Sequence, residues 1–122
     1  MDRCNAVQYN LTCSTKDGRV ADWIADQLVK SLGSEAISAV GIAVEPAGRA
    51  RVLTVIKEPL KHPPFQVLEA AKGLGRRFGV EIVEADIIGE VPLEVLLVCA
   101  GYSLSVSKIR PSQIHREEEN TK

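Results

Sequence analysis

Residues 6–13 alternate strictly. Val7, Tyr9, Leu11 and Cys13 share one side, and Gln8, Asn10 and Thr12 share the other. A period of two predicts a strand with one polar face. Ser14 to Asp17 then supplies an S-x-x-D helix start. Behind it Val20, Ile24, Leu28 and Leu32 recur every fourth residue, joined by Ala21, Ala25 and Val29. That spacing predicts an amphipathic helix of about four turns, ended at Leu32-Gly33-Ser34. Residues 36–44 and 50–57 read as a second and third strand, joined by a turn at Pro46-Ala47-Gly48-Arg49.

Pro59 stops the third strand, and Pro63-Pro64 open a second helix. Phe65, Leu68, Ala71, Gly75 and Phe78 lie on or near one face of it. The stretch from Gly79 to Leu93 is the densest signal in the chain. Gly79 suits a helix end, 80–86 a Val/Ile-rich strand, Gly89 an unusual backbone angle and Pro92 the first turn of a third helix. That helix is apolar and runs to about Leu104. The tail from Ser107 has the composition of a flexible, solvated end.

The element order is thus β-α-β-β-α-β-α. It predicts an α+β fold, a ferredoxin-like βαββαβ sandwich with an additional C-terminal helix. One domain over residues 1–106 and a charged tail over 107–122 account for the 122 residues. Both helices of the sandwich cover one sheet face and leave the other open. An open face meeting water should be polar, yet Val52, Leu53, Val55 and Ile56 place apolar groups on both sides of the third strand. A cover for that face is therefore expected: the terminal helix in part, a partner domain, or a second copy.

Composition narrows the function. Fifteen Lys and Arg against sixteen Asp and Glu give a net charge of −1, and five aromatic residues offer little base stacking, so no nucleic-acid partner is expected. No apolar run reaches the roughly 18–20 residues that span a bilayer, and the first residues lack the layout of a signal peptide. Cys4, Cys13 and Cys99 match no metal spacing. They read as reduced thiols of a cytoplasmic protein.

Candidate chemistry is sparse. Gln8, Asn10 and Thr12 form a polar stripe able to hydrogen-bond a ligand or a partner; the alternative is a solvated strand face. Asp86 and Gly89, just before the third helix, offer a second ligand-binding position, or simply a tight strand-to-helix turn. His62 at the second helix has only Glu58 as a nearby carboxylate to orient it, and His115 lies in the tail. Arg49/Arg51 and Arg76-Arg77 read as solvated surface charge. No catalytic residue and no metal set is assigned.

Several segments in order carry a family resemblance. Tyr9-Asn10-Leu11-Thr12-Cys13-Ser14-Thr15-Lys16-Asp17 is similar to a strand-to-helix segment, Y/F-N-x-N-L-x-T-x-D/E, of the glutamate formiminotransferase C-terminal subdomain. Ile37-Ser38-Ala39-Val40-Gly41-Ile42 resembles its V-K-A-x-G-I. Val52 to Ile56 and His62-Pro63-Pro64 resemble its V-S-x-N-L and T-P-L. Gly79 to Leu93 echoes its G-V-x-V-x-G-S-E-I-V-G-L-V-P-L. The chain departs from the pattern at Thr12 and Val55, where the family has Asn, at His62 for Thr, and at Asp86 for Glu.

The resemblance implies a tetrahydrofolate substrate and transfer of a one-carbon formimino group. It also implies a catalytic His on an N-terminal subdomain that these residues do not contain. Two readings follow. In one the chain is half of such an enzyme, lining a folate cleft with Gln8, Asn10, Thr12, Asp86 and Gly89 and needing a separate N-terminal partner. In the other it is a non-catalytic module that forms a homodimer through its open sheet face.

Overall fold

Four strands and three helices follow one another as β1 (Val7–Cys13), α1 (Gly18–Leu32), β2 (Ile37–Ile42), β3 (Arg51–Ile56), α2 (Pro64–Arg76), β4 (Ile82–Ile88) and α3 (Leu93–Leu104). The computed structural model describes residues 6–44 and 48–115. Pro46 and Ala47 of the hairpin turn expected at Pro46-Ala47-Gly48-Arg49 lie outside the described residues. The strands form one antiparallel sheet in the order β2-β3-β1-β4. This is the ferredoxin-like α+β arrangement that the element order predicts.

The first strand behaves as its alternation dictates. Val7, Tyr9, Leu11 and Cys13 point into the core and meet Ile24, Ala25 and Leu28 of α1 and Val67 and Ala71 of α2. Val52 and Ile56 of β3 and Ile37 of β2 complete this layer. Thr54 of β3 is buried in it too, and its hydroxyl donates to the Tyr9 carbonyl at 2.6 Å, so its burial leaves no unmet donor there. At Gly41 the β2 backbone runs almost against α1: a Cβ there would fall 2.2 Å from the Asp22 nitrogen.

Several boundaries differ from the sequence expectation. Helix α1 starts later than Ser14; Asp17 caps it, accepting from the Arg19 N–H at 2.9 Å. Ser14 instead joins β1 to the start of β4. Its N–H donates to the Glu81 carbonyl at 2.8 Å, and its hydroxyl accepts from the Glu81 N–H at 2.9 Å. Strand β4 is displaced by two residues from 80–86, because the Val80 N–H closes the end of α2 on the Gly75 carbonyl.

The buried face of α2 is Val67, Ala71 and Gly75. Phe65 leaves it to stack on Tyr102 at 4.0 Å, and Phe78 sits beyond the helix, edge-on to Trp23 at 5.0 Å. Helix α3 does not cover the open sheet face. It packs beside α2 through that Phe65–Tyr102 stack, on the same side of the sheet as the other helices. After Leu104 the chain turns through Ser105, at φ 60°, and the Val106 N–H bonds to the Gly101 carbonyl. A short 3-10 turn follows at Pro111–Gln113.

Candidate functional site

Strand register fixes what stands on the uncovered face. Reading from β4 through β1 and β3 to β2, one row is Ile88, Gln8, Val55 and Ser38. The next is Asp86, Asn10, Leu53 and Val40. The last is Glu84, Thr12, Arg51 and Ile42, close to a β-bulge at Thr12/Cys13. The face is thus divided. Its β4–β1 half is polar and acidic apart from Ile88, and its β3–β2 half carries Leu53, Val55, Val40 and Ile42.

Four of the five ligand-binding candidates therefore come together. Gln8, Asn10 and Thr12 run down the middle of the face, and Asp86 is the direct cross-strand neighbour of Asn10. Gly89 is not on the face. It follows the last residue of β4 in the left-handed conformation, φ 84°, where a side chain would be strained. The other candidates stand apart. The His62 Nδ1 shares a hydrogen bond with the Gln66 Oε1 at 3.0 Å, an amide and not a carboxylate. His115 is exposed at the end of the described residues. Among the described residues, no three His, Cys, Asp or Glu side chains are grouped to hold a metal ion. No described helix is long and apolar enough to cross a membrane.

Arg51 is the residue that sequence reading missed. Grouped with Arg49 it looked like surface charge, but its place two positions before Leu53 sets it on the open face. Its guanidinium reaches Asp86, with Nη2 3.5 Å from Oδ2. The two residues sit on β3 and β4, strands about 9–10 Å apart across two strand spacings, with Asp86 one row along from Arg51, so the Arg51 side chain spans β1. Beneath this bridge Asn10 is only 6% exposed, and its Oδ1 has no donor; the Arg51 Nε is likewise buried without an acceptor. Buried polar atoms are normally paired, so two on one face single out this spot.

The opposite side of the sheet is electrostatically quiet. Burial, with Cys99 nearby, raises the Tyr9 hydroxyl pKa, and burial raises that of the Cys13 thiol. Both groups stay neutral there. At the start of α1, hydrogen bonds from Arg19 hold the Asp17 carboxyl below its ordinary range. A separate apolar recess of about 490 Å³ opens between α2 and α3, lined by Leu60, Phe65, Leu97, Tyr102 and Ile109. It contains none of the predicted site residues.

A family model described as the formiminotransferase domain matches residues 6–121. No curated protein matches the chain.

Proposed function

The chain belongs to the formiminotransferase domain family, and from that premise we propose that it is one half of a formimino-transferring enzyme, the half resembling the C-terminal subdomain. In this reading it supplies one wall of a folate cleft. The observation that carries it is the divided open face: a strip of Leu53, Val55 and Val40 beside a polar row of Gln8, Asn10, Thr12 and Asp86. The pyrimidine ring of tetrahydrofolate is flat with a polar edge. An apolar strip accepts the plane of such a ring, and hydrogen-bonding groups beside it fix the edge. The chain's contribution to catalysis is then positioning. The acid/base group comes from a separate N-terminal subdomain that closes over the same face in the cytoplasm.

The test is an assay of the purified chain with formiminoglutamate and tetrahydrofolate, alone and after adding a formiminotransferase N-terminal subdomain. The expected result is no turnover by the chain alone and turnover in the mixture. Turnover by the chain alone, or none in the mixture, would overturn the reading.

A second reading has its own support. Val40 is 49% exposed and Val55 38% on the open face, a large apolar presence for a surface left to water. A non-catalytic module that forms a homodimer through this face buries them. Light scattering separates the two: a stable monomer that binds the N-terminal subdomain supports the transferase half, and a stable dimer indifferent to that subdomain supports the module.

A further inference from the structure

The direction of the backbone groups at the β4 edge of the sheet follows from β1. The Cys13 N–H bonds to the Ala50 carbonyl, on the β3 side, and bonding direction alternates along a strand. Gln8, Asn10 and Thr12 therefore bond toward β4, and their partners Ile88, Asp86 and Glu84 bond back. Ala85 and Ile87 are left pointing their N–H and C=O groups away from the sheet, and no other described residue bonds to them. Protected edges carry proline or lysine. Strand β4 has neither, and all of it after Ile82 is exposed. Its apolar side chains include Ile87 and Ile88, 38% and 47% exposed.

The charges between these groups select what can pair there. Against an added antiparallel strand, Glu84 and Asp86 fall in the pairs without hydrogen bonds, where opposed Cα atoms are only about 4.5 Å apart. A second copy is a poor occupant. Centred on Asp86, two copies set Asp86 against Asp86; centred on Ala85, they set Glu84 against Asp86 twice. Like charges directly opposite are destabilising. Asp86 meets Arg51 only at 3.5 Å, and Glu84 has no ion-pair partner among the described residues. We infer that the β4 edge is a docking site for an extended strand of another protein, one in which two basic residues, two apart, alternate with apolar ones. The basic pair lies against Asp86 and Glu84. The apolar residues bond through their backbone to Ala85 and Ile87. Main-chain bonds hold such a strand and the alternate side chains choose it. Docking there is independent of whether a folate cleft is built on the open face.

The experiment titrates the full chain with the blocked peptide TVKVRVT, followed by calorimetry and by NMR of the Ala85 and Ile87 backbone amides. Saturable binding with shifts at both amides is expected. The acidic counterpart TVEVDVT should bind at least about tenfold more weakly. Glu84→Lys should narrow that preference by about tenfold or more, because one carboxylate is replaced by a cation. Ala85→Pro removes an outward N–H and leaves the bonds to β1 in place, as proline on an edge strand does. It should weaken binding about tenfold, one peptide carbonyl being left unmet. Its folding is checked by Trp23 fluorescence. N-methylation of the central valine of the peptide removes a bond from the other side with no change to the protein, and should weaken binding about as much.

Four results would each overturn the inference: no saturable binding of TVKVRVT, equal binding of the acidic peptide, binding insensitive to the central N-methyl group, or a dimer of the chain alone that Ala85→Pro dissociates. The last would seat a second copy on the edge in place of a basic strand. None of these readouts uses turnover, so failure here leaves the transferase half standing, and loss of the transferase reading leaves the edge site untouched.

Discussion

Replacing Gly41 with alanine adds one methyl group where β2 passes closest to α1. The new Cβ would lie 2.2 Å from the Asp22 nitrogen, 2.3 Å from the Ala21 carbonyl carbon and 2.5 Å from the Asp22 Cα. All three are backbone atoms of a helix, so no side chain can rotate away. Restoring ordinary contact near 3.4 Å requires α1 to retreat by about 1 Å. That helix buries Ala21, Ile24, Ala25 and Leu28, and a gap of this width forfeits about a quarter to a half of the dispersion energy of each contact it opens. Tilting of the helix recovers part of the loss, and alanine is worth up to about 1 kcal/mol over glycine in a strand.

The net cost is about 3 kcal/mol, toward the upper end of that for overpacked cores. For 122 residues the unfolding entropy converts this to a fall in Tm of about 10 °C. Urea and thermal melts followed by Trp23 fluorescence, a reporter on α1 itself, measure it. The internal control is Gly73→Ala in α2, whose Cβ would meet only the Arg76 Nη1 at 3.7 Å. It should raise stability by about 0.5–1 kcal/mol. A Gly41→Ala protein that melts within about 3 °C of wild type would show that the close approach does not set the helix position.

Two further outcomes are expected. Val55→Asp places a charge in the apolar half of the open face; it should leave the chain folded but weaken association with an N-terminal subdomain, or with a second copy, by at least about tenfold, as read by light scattering. Alkaline stability should depend on Cys13 and Tyr9. Their folded pKa values are raised from the ordinary 9.0 and 10.0, so the unfolded chain ionises first and stability is lost as pH rises above about 9. Cys13→Ala should flatten the stability slope between pH 8 and 10, by up to about 1.4 kcal/mol per pH unit for the one proton involved; an unchanged slope in urea melts would exclude the thiol.

Local patterns carried much of the fold. The alternation of Val7, Tyr9, Leu11 and Cys13 with Gln8, Asn10 and Thr12 states directly which side of β1 is buried, and Gly33 ends α1 where expected, at φ 99°. What the sequence concealed was set by distant partners. Ala71 and Gly75 were legible on the α2 face and are buried there, Gly75 because Val80 returns so closely that a Cβ on Gly75 would lie 2.6 Å from the Val80 carbonyl oxygen, but the aromatics read beside them are not part of that buried face. Phe65 and Phe78 find their partners on α3 and α1, which no helical period reveals. The polar stripe was legible as a stripe. That Asp86 joins it, and that Arg51 reaches across it, depends on register between strands far apart in the chain. Alternation within β3 points Arg51 the same way as Leu53 and Val55; only the pairing with β1 tells what it faces.

The central position of β1 has a consequence for how the chain is made. Each row of the open face takes its middle residues from β1 and β3 and its end from β4, acidic in two of the three rows, and Ser14 is tied to Glu81 at the corner. Synthesis from the N-terminus therefore delivers the polar stripe first and its last neighbour some seventy residues later, a large loop to close. Until Ile82–Ile88 emerges, β1 is an edge strand with one row of backbone hydrogen-bonding groups unmet. The nascent chain is open to pairing with other strands during that interval, and the candidate binding surface is among the last parts to be completed.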